Sequence, residues 1–109
     1  MRFLTGHDVQ GFAEQDWRGL ARPGSVAAIY MGKRAARFLQ GRLLMHGAAA
    51  DTPVTVVENA SRPDQRVIAC RLTGLPEAVA DLAGPAVLLY GLAPRAAEAL
   101  IPELQEALS

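Results

Sequence analysis

Few side chains here are suited to acid–base work. Of the two histidines, His7 sits in Thr5-Gly6-His7-Asp8 and His46 closes a helical run. Histidine titrates near neutrality and is the usual proton carrier. No constellation of His7 with an aspartate and a nucleophile accompanies it, so it reads as a structural, hydrogen-bonding residue rather than a catalytic one. His46 reads as a helix C-terminal cap, where an imidazole meets unpaired carbonyls and the negative end of the helix dipole. Asp51, Glu58 and Asp64 do not have metal-ligand spacing and no His/Cys cluster stands near them, so no metal site is expected. Cys70 is the single cysteine, which rules out an internal disulfide and makes a reducing, cytoplasmic compartment the expectation. By residue type alone, Met31 is a core residue at a strand end and Ala60 an ordinary loop residue. No catalytic group is assigned.

The bulk properties set outer bounds. With 109 residues, 50% of them apolar and 20% charged, the chain fits one soluble α/β-sized domain with a modest core. Formal net charge is zero, so no general attraction to nucleic acid or to an anionic membrane is implied. No apolar run approaches the roughly twenty residues of a membrane helix, and no signal peptide is read at the N-terminus.

The elements that must carry these residues alternate between strand and helix. Met1 to Thr5 predicts a short strand stopped by Gly6. Asp16 is placed as the cap of a short helical turn bearing Trp17, Leu20 and Ala21, and Arg22-Pro23-Gly24 is a turn. Ser25 to Met31 is a continuous apolar run between Gly24 and Gly32, the pattern of a buried strand. Lys33 to His46 predicts a helix with Ala35, Ala36, Leu39 and Leu43 inward and Lys33, Arg34, Arg37, Gln40 and Arg42 outward, ended by Gly47. A strand through Val54, Val56 and Val57 and another from Gln65 to Leu72, separated by about seven turn residues, predict an antiparallel pair. A short helix from Leu75 to Leu82 with Pro76 in its first turn, a buried strand from Ala86 to Tyr90, and a closing helix from Pro94 to Leu108 kinked at Pro102 complete the chain. The sum is an α/β domain with a mixed sheet and helices on its faces.

Three segments carry a resemblance. They are Phe3-Leu4-Thr5-Gly6-His7-Asp8 with Asp16-Trp17 and Ala21-Arg22-Pro23-Gly24; Tyr30-Met31-Gly32; and Asp51-Thr52-Pro53-Val54 through Val57-Glu58-Asn59-Ala60 to Pro63-Asp64-Gln65-Arg66-Val67. In this order and spacing they resemble the tetrapyrrole (corrin/porphyrin) methylase family, and within it the uroporphyrinogen-III C-methyltransferases and the methylase module of siroheme synthases. The match runs from about Phe3 to Tyr90. One departure is visible: Gly91-Leu92-Ala93-Pro94 stands where the family commonly has Gly-Glu-Val-Val.

The resemblance implies that residues 1–109 form a single domain equivalent to the C-terminal half of a two-domain enzyme, whose active site lies in the cleft between halves. The N-terminal half, with its Gly-rich loop and proposed acid–base residues, is expected to be absent from this chain. The implied activity is transfer of methyl groups from S-adenosyl-L-methionine to uroporphyrinogen III, giving precorrin-2 on the siroheme and cobalamin routes. The chain alone is expected to be inactive and to bind cofactor weakly or not at all. Position in the motifs implies cofactor contacts for Met31, Gly32 and Ala60. The many carboxylates of the implied substrate make Arg34, Arg37, Arg62 and Arg66 candidates for its recognition, since arginine grips a carboxylate with two bonds. A solvated helix face for Arg34 and Arg37 and a turn charge for Arg62 is the competing reading. The implied partners are the tetrapyrrole, a second copy in a homodimer and the missing half. The alternative function is a non-catalytic dimerisation or regulatory module that kept the fold.

Overall fold

The computed structural model describes residues 2–60, 62–99 and 102. Five strands form one sheet in the order β1-β2-β5-β3-β4: β1 is Arg2–Thr5, β2 Ala27–Met31, β3 Pro53–Glu58, β4 Arg66–Arg71 and β5 Ala86–Tyr90. β1 and β2 pair in parallel, and the other three pairings are antiparallel. The expected mixed sheet and the β3–β4 hairpin are therefore present. β5 lies at the centre, and its run of Ala, Val, Leu, Leu and Tyr is buried throughout, as a strand with neighbours on both edges and cover on both faces must be. Its register defines two ends of the sheet. Met31, Ala86, Glu58 and Arg66 form one terminal row, and Ala27, Tyr90, Val54 and Cys70 the other.

Four helices pack on one face: α1 Gly6–Gln10, α2 Glu14–Ala21, α3 Ala35–Met45 and α4 Leu75–Ala78. They contribute Val9, then Trp17 and Leu20, then Leu39 and Leu43, then Leu75 to one core with Ile29, Val56, Leu88 and Tyr90. Burying each large aliphatic side chain contributes about 1.5–3 kcal/mol, so this layer dominates the packing. Trp17 ties α2 to α3, with ring centroids 5.1 Å from Phe12, 5.7 Å from Phe38 and 6.3 Å from His46. The other face carries a smaller cluster of Ala28, Val57, Val87 and Leu89, covered by Ala97. Ala97 belongs to a helical stretch at residues 94–99. The remainder of the closing helix expected to Leu108, with the kink at Pro102, involves residues outside those described.

Local chemistry explains the boundaries, and corrects some. Gly6 does not merely stop β1; it opens α1. Thr5 caps that helix, its hydroxyl accepting from Asp8 N at 3.1 Å while Asp8 Oδ2 accepts from Thr5 N at 2.8 Å. Asp16 does serve the start of α2, but from the third helical position: Ala13 is the N-cap, and Asp16 Oδ2 takes the Ala13 N–H at 3.0 Å. α3 ends as expected at Gly47, which has φ +97°. The Ala48 and Gly47 amides donate back to the Leu43 and Leu44 carbonyls at 2.9 and 3.1 Å, satisfying the last turn. α4 is half the expected length. A 3-10 turn over Leu72–Gly74 precedes it and Val79 ends it.

Candidate functional site

Three loops meet at the Met31 end of the sheet. The chain leaves β1 at Gly6, leaves β2 at Gly32 and enters β5 from Pro85. Between them lies a cavity of about 850 Å³ lined by Gly6, His7 and Gln10 of the first loop and helix, Gly32 to Ala35 and Phe38 of the second, and Leu82 to Pro85 of the third. Its size falls within the range of small-molecule sites, roughly 300–1,000 Å³. The lining is apolar at Phe38, Leu82 and Pro85 and cationic at Lys33 and Arg34, and it includes no Asp or Glu. Lys33 Nζ makes one hydrogen bond, to Ala80 O at 3.4 Å. The exposed Arg34 side chain makes none among the described residues.

The third wall is held by an ionic clamp. Glu58, buried at the end of β3, accepts from Arg66 Nε at 3.0 Å with one oxygen and from Ala83 N at 3.4 Å with the other. The two terminal nitrogens of Arg66 donate to Asp81 at 3.0 and 3.3 Å. The Asp81 hydrogen bond raises Arg66, and the Arg66 hydrogen bond holds the Asp81 carboxyl below its ordinary value. Arg66 and Glu58 together thus fasten residues 81–83 to the sheet, with one guanidinium shared between two carboxylates.

The residues singled out from the sequence fall in different places. Gly32 and Arg34 line the cavity. Met31 is 3% exposed, its side chain turned into the main core against Gly6. Ala60 follows Asn59, whose φ of +53° is left-handed, and packs against the cluster on the opposite face. Met31 and Ala60 therefore share one end of the sheet but not one face. Arg37 is exposed on α3 and Arg62 in the β3–β4 turn, both outside the cavity lining. Arg66, read as a candidate for substrate recognition, has its donors committed to Glu58 and Asp81.

His7, read as a hydrogen-bonding structural residue, is exposed in the cavity wall, and its ring makes no hydrogen bond among the described residues. His46 does cap α3, with Nδ1 2.7 Å from Arg42 O. Cys70 is half-buried on the inner side of β4, and burial pushes its thiol up. The departure at Gly91 to Pro94 lies at the Tyr90 end, a strand length (about 13 Å) from the cavity. There Leu92 packs on the second-face cluster and its carbonyl accepts from the Thr55 hydroxyl at 2.8 Å. Sequence reading missed Lys33, which was taken as part of a solvated helix face, and the wall from Leu82 to Pro85, which carries no local signal of a site. Among the described residues no group of three or more His, Cys, Asp and Glu is placed to hold a metal ion, and no helix is long and apolar enough to cross a membrane.

No protein-family profile matches the chain. Individual proteins do. The siroheme synthase of Pseudoalteromonas translucida is 40% identical over 93 residues, covering 84% of this chain and 20% of that protein. The siroheme synthase of Gluconacetobacter diazotrophicus is 45% identical over 92 residues, covering 82% of this chain and 20% of that one. The chain thus spans about a fifth of the length of these relatives. Among solved structures, a uroporphyrin-III C-methyltransferase from Thermus thermophilus in complex with S-adenosylhomocysteine superposes with a TM-score of 0.64 at 27% identity, covering 83% of this chain and 40% of that one. A cobalt precorrin-4 methyltransferase superposes with a TM-score of 0.67 at 23% identity, over 84% of this chain and 40% of that one, a likeness of fold. In sequence and in fold, this chain is a partial tetrapyrrole methylase module.

Proposed function

We propose that the chain is equivalent to the C-terminal half of a uroporphyrinogen-III C-methyltransferase and supplies one wall of its cleft. The observation that carries the reading is the open cavity at the Met31 end, bordered by the Tyr30-Met31-Gly32 strand end and bearing cations but no acid–base pair. Met31, Gly32 and Ala60 sit at that end and are the contacts this half offers to S-adenosyl-L-methionine. The residues fit as part of a site rather than a whole one. The rim is built of small residues, and a Cβ at Gly32 would meet nothing within 4 Å, so a ligand edge can approach the backbone there. The cofactor, when bound, supplies the methyl group and leaves as S-adenosyl-L-homocysteine.

What remains for the protein is alignment of donor and acceptor, restriction of water and removal of the displaced ring proton. This chain contributes to the first two. Among the described residues it brings no paired acid and base for the third, which falls to a partner half that also closes the cleft. Phe3 at 52% and Tyr30 at 45% exposure lie on the second face, and covering such apolar surface is the role of that partner or of a second copy in a homodimer. A cytoplasmic setting suits the lone thiol and the siroheme synthase relatives.

The test is methyl transfer from labelled S-adenosyl-L-methionine to uroporphyrinogen III. The chain alone is expected to be silent, and a chimera with a family-type first half is expected to turn over. Turnover by the lone chain overturns the half-site reading. A folded but silent chimera favours the alternative, a non-catalytic dimerisation or regulatory module.

A further inference from the structure

On the methylase reading two classes of ligand must be accommodated, the methyl donor and the tetrapyrrole acceptor, and the charge of the cavity suits one of them better. The donor carries positive charge on sulfur and on its amino group. The acceptor is an apolar macrocycle edged with carboxylates. The walls contain Lys33 and Arg34 and no Asp or Glu. The nearby carboxylates, Glu58 and Asp81, are both held by Arg66 at 3.0 Å; Lys33 also feels the charge of Asp81, whereas the Arg34 side chain makes no bond among the described residues and keeps its full capacity to pair with an incoming anion. Phe38, Leu82 and Pro85 supply the apolar surface between them.

We propose that this cavity takes one carboxylated edge of the tetrapyrrole, that Lys33 and Arg34 are the residues that bind its carboxylate arms, and that Arg66 is a positioning residue. Arg34 can take a carboxylate with two parallel hydrogen bonds, and Lys33 acts as a mobile point charge beside it. The cofactor is left to the strand tips at the same sheet end, where Met31 and Gly32 close β2 and Ala60 follows β3 toward the second face. Arg66 acts through the wall it fixes: it holds Asp81, and with Glu58 it keeps Ala83 against the sheet, which sets the distance between that wall and Arg34. Arg37 and Arg62, outside the lining, play no part. The inference rests on the methylase reading and divides the site it names.

The experiment titrates uroporphyrin III, the oxidised and fluorescent octacarboxylate, into the intact chain and follows its emission. Binding is expected, weakened by added salt as charge pairing requires. K33Q/R34Q is expected to weaken it by about fivefold or more, while R37Q and R62Q stay within about twofold of the parent. Both cavity substitutions are at exposed side chains, and an unchanged circular dichroism spectrum verifies the fold. R66K, which keeps the charge but not the three-point clamp, is expected to weaken uroporphyrin binding and to make the Ala83 amide exchange faster. A residue gripping the ligand directly would change the first and not the second.

No uroporphyrin binding by the parent chain, or equal losses in K33Q/R34Q and R62Q, overturns the proposal. Its failure is distinguishable from failure of the methylase reading. A chimera that methylates uroporphyrinogen III with an unchanged KM after K33Q/R34Q keeps the activity and removes this assignment of the cavity.

Discussion

Gly91 shows how much one backbone position carries. It has φ +82°, and a Cβ built there would run into the Ser25 carbonyl oxygen, where the chain enters β2. Gly47 also has a positive φ, of +97°, but a Cβ there meets nothing within 4 Å. The two glycines therefore separate conformational cost from collision. Gly47→Ala is expected to cost about 1 kcal/mol, the penalty of a left-handed alanine. Gly91→Ala is expected to cost about 2–4 kcal/mol, because the Ser25 backbone must also move. Urea unfolding of both variants checks this, and equal losses would show that the Ser25 contact yields freely. This also bears on the departure from the family pattern: the glycine of Gly91-Leu92-Ala93-Pro94 is the position the fold needs, while Leu92 has joined the apolar cluster on the second face.

At the scale of elements, patterns within one segment were legible and pairings between segments were not. The apolar runs of β2 and β5, the inward face of α3 and its glycine stop could all be read from spacing. α1 escaped because five residues hold no period, although Thr5 and Asp8 form the capping pair that marks its start. Nothing local announces that Leu82 to Pro85 faces Lys33 and Arg34, or that Arg66 closes on Glu58 and Asp81, since those meetings depend on the sheet order.

The clamp gives an element-scale prediction. Asp81 is held below its ordinary value by the Arg66 hydrogen bond. Its contribution to stability is therefore full above the unfolded carboxyl value of about 3.9 and is lost as pH falls through the lower folded value. Arg66→Met is expected to be less stable than the parent at pH 6, and the gap should narrow as the pH falls below about 4. Urea midpoints across pH 6 to 2.5 measure it, and a gap constant with pH would mean that Asp81 contributes nothing.

At the scale of the whole molecule, the two faces of the sheet are unequally dressed. Four helices cover one face; the other keeps Phe3 and Tyr30 at 52% and 45% exposure, with Val67 at 39%. Sedimentation at micromolar concentration is expected to show a dimer or larger species, shifted toward monomer by Phe3→Ser/Tyr30→Ser; a clean monomer of the parent chain contradicts it. The order of strands has a further consequence. β2 and β3 do not pair with each other; both wait for β5, the last of the described strands in sequence, which inserts between them. During synthesis at about 5–20 residues per second, the roughly 19 residues from the end of β4 to the end of β5 take on the order of 1–4 s to emerge. For that time the nascent protein holds a β1–β2 ribbon and a β3–β4 hairpin with a vacant slot between them. The domain closes late and in a single event, so the growing chain is a natural client for chaperones until β5 leaves the ribosome.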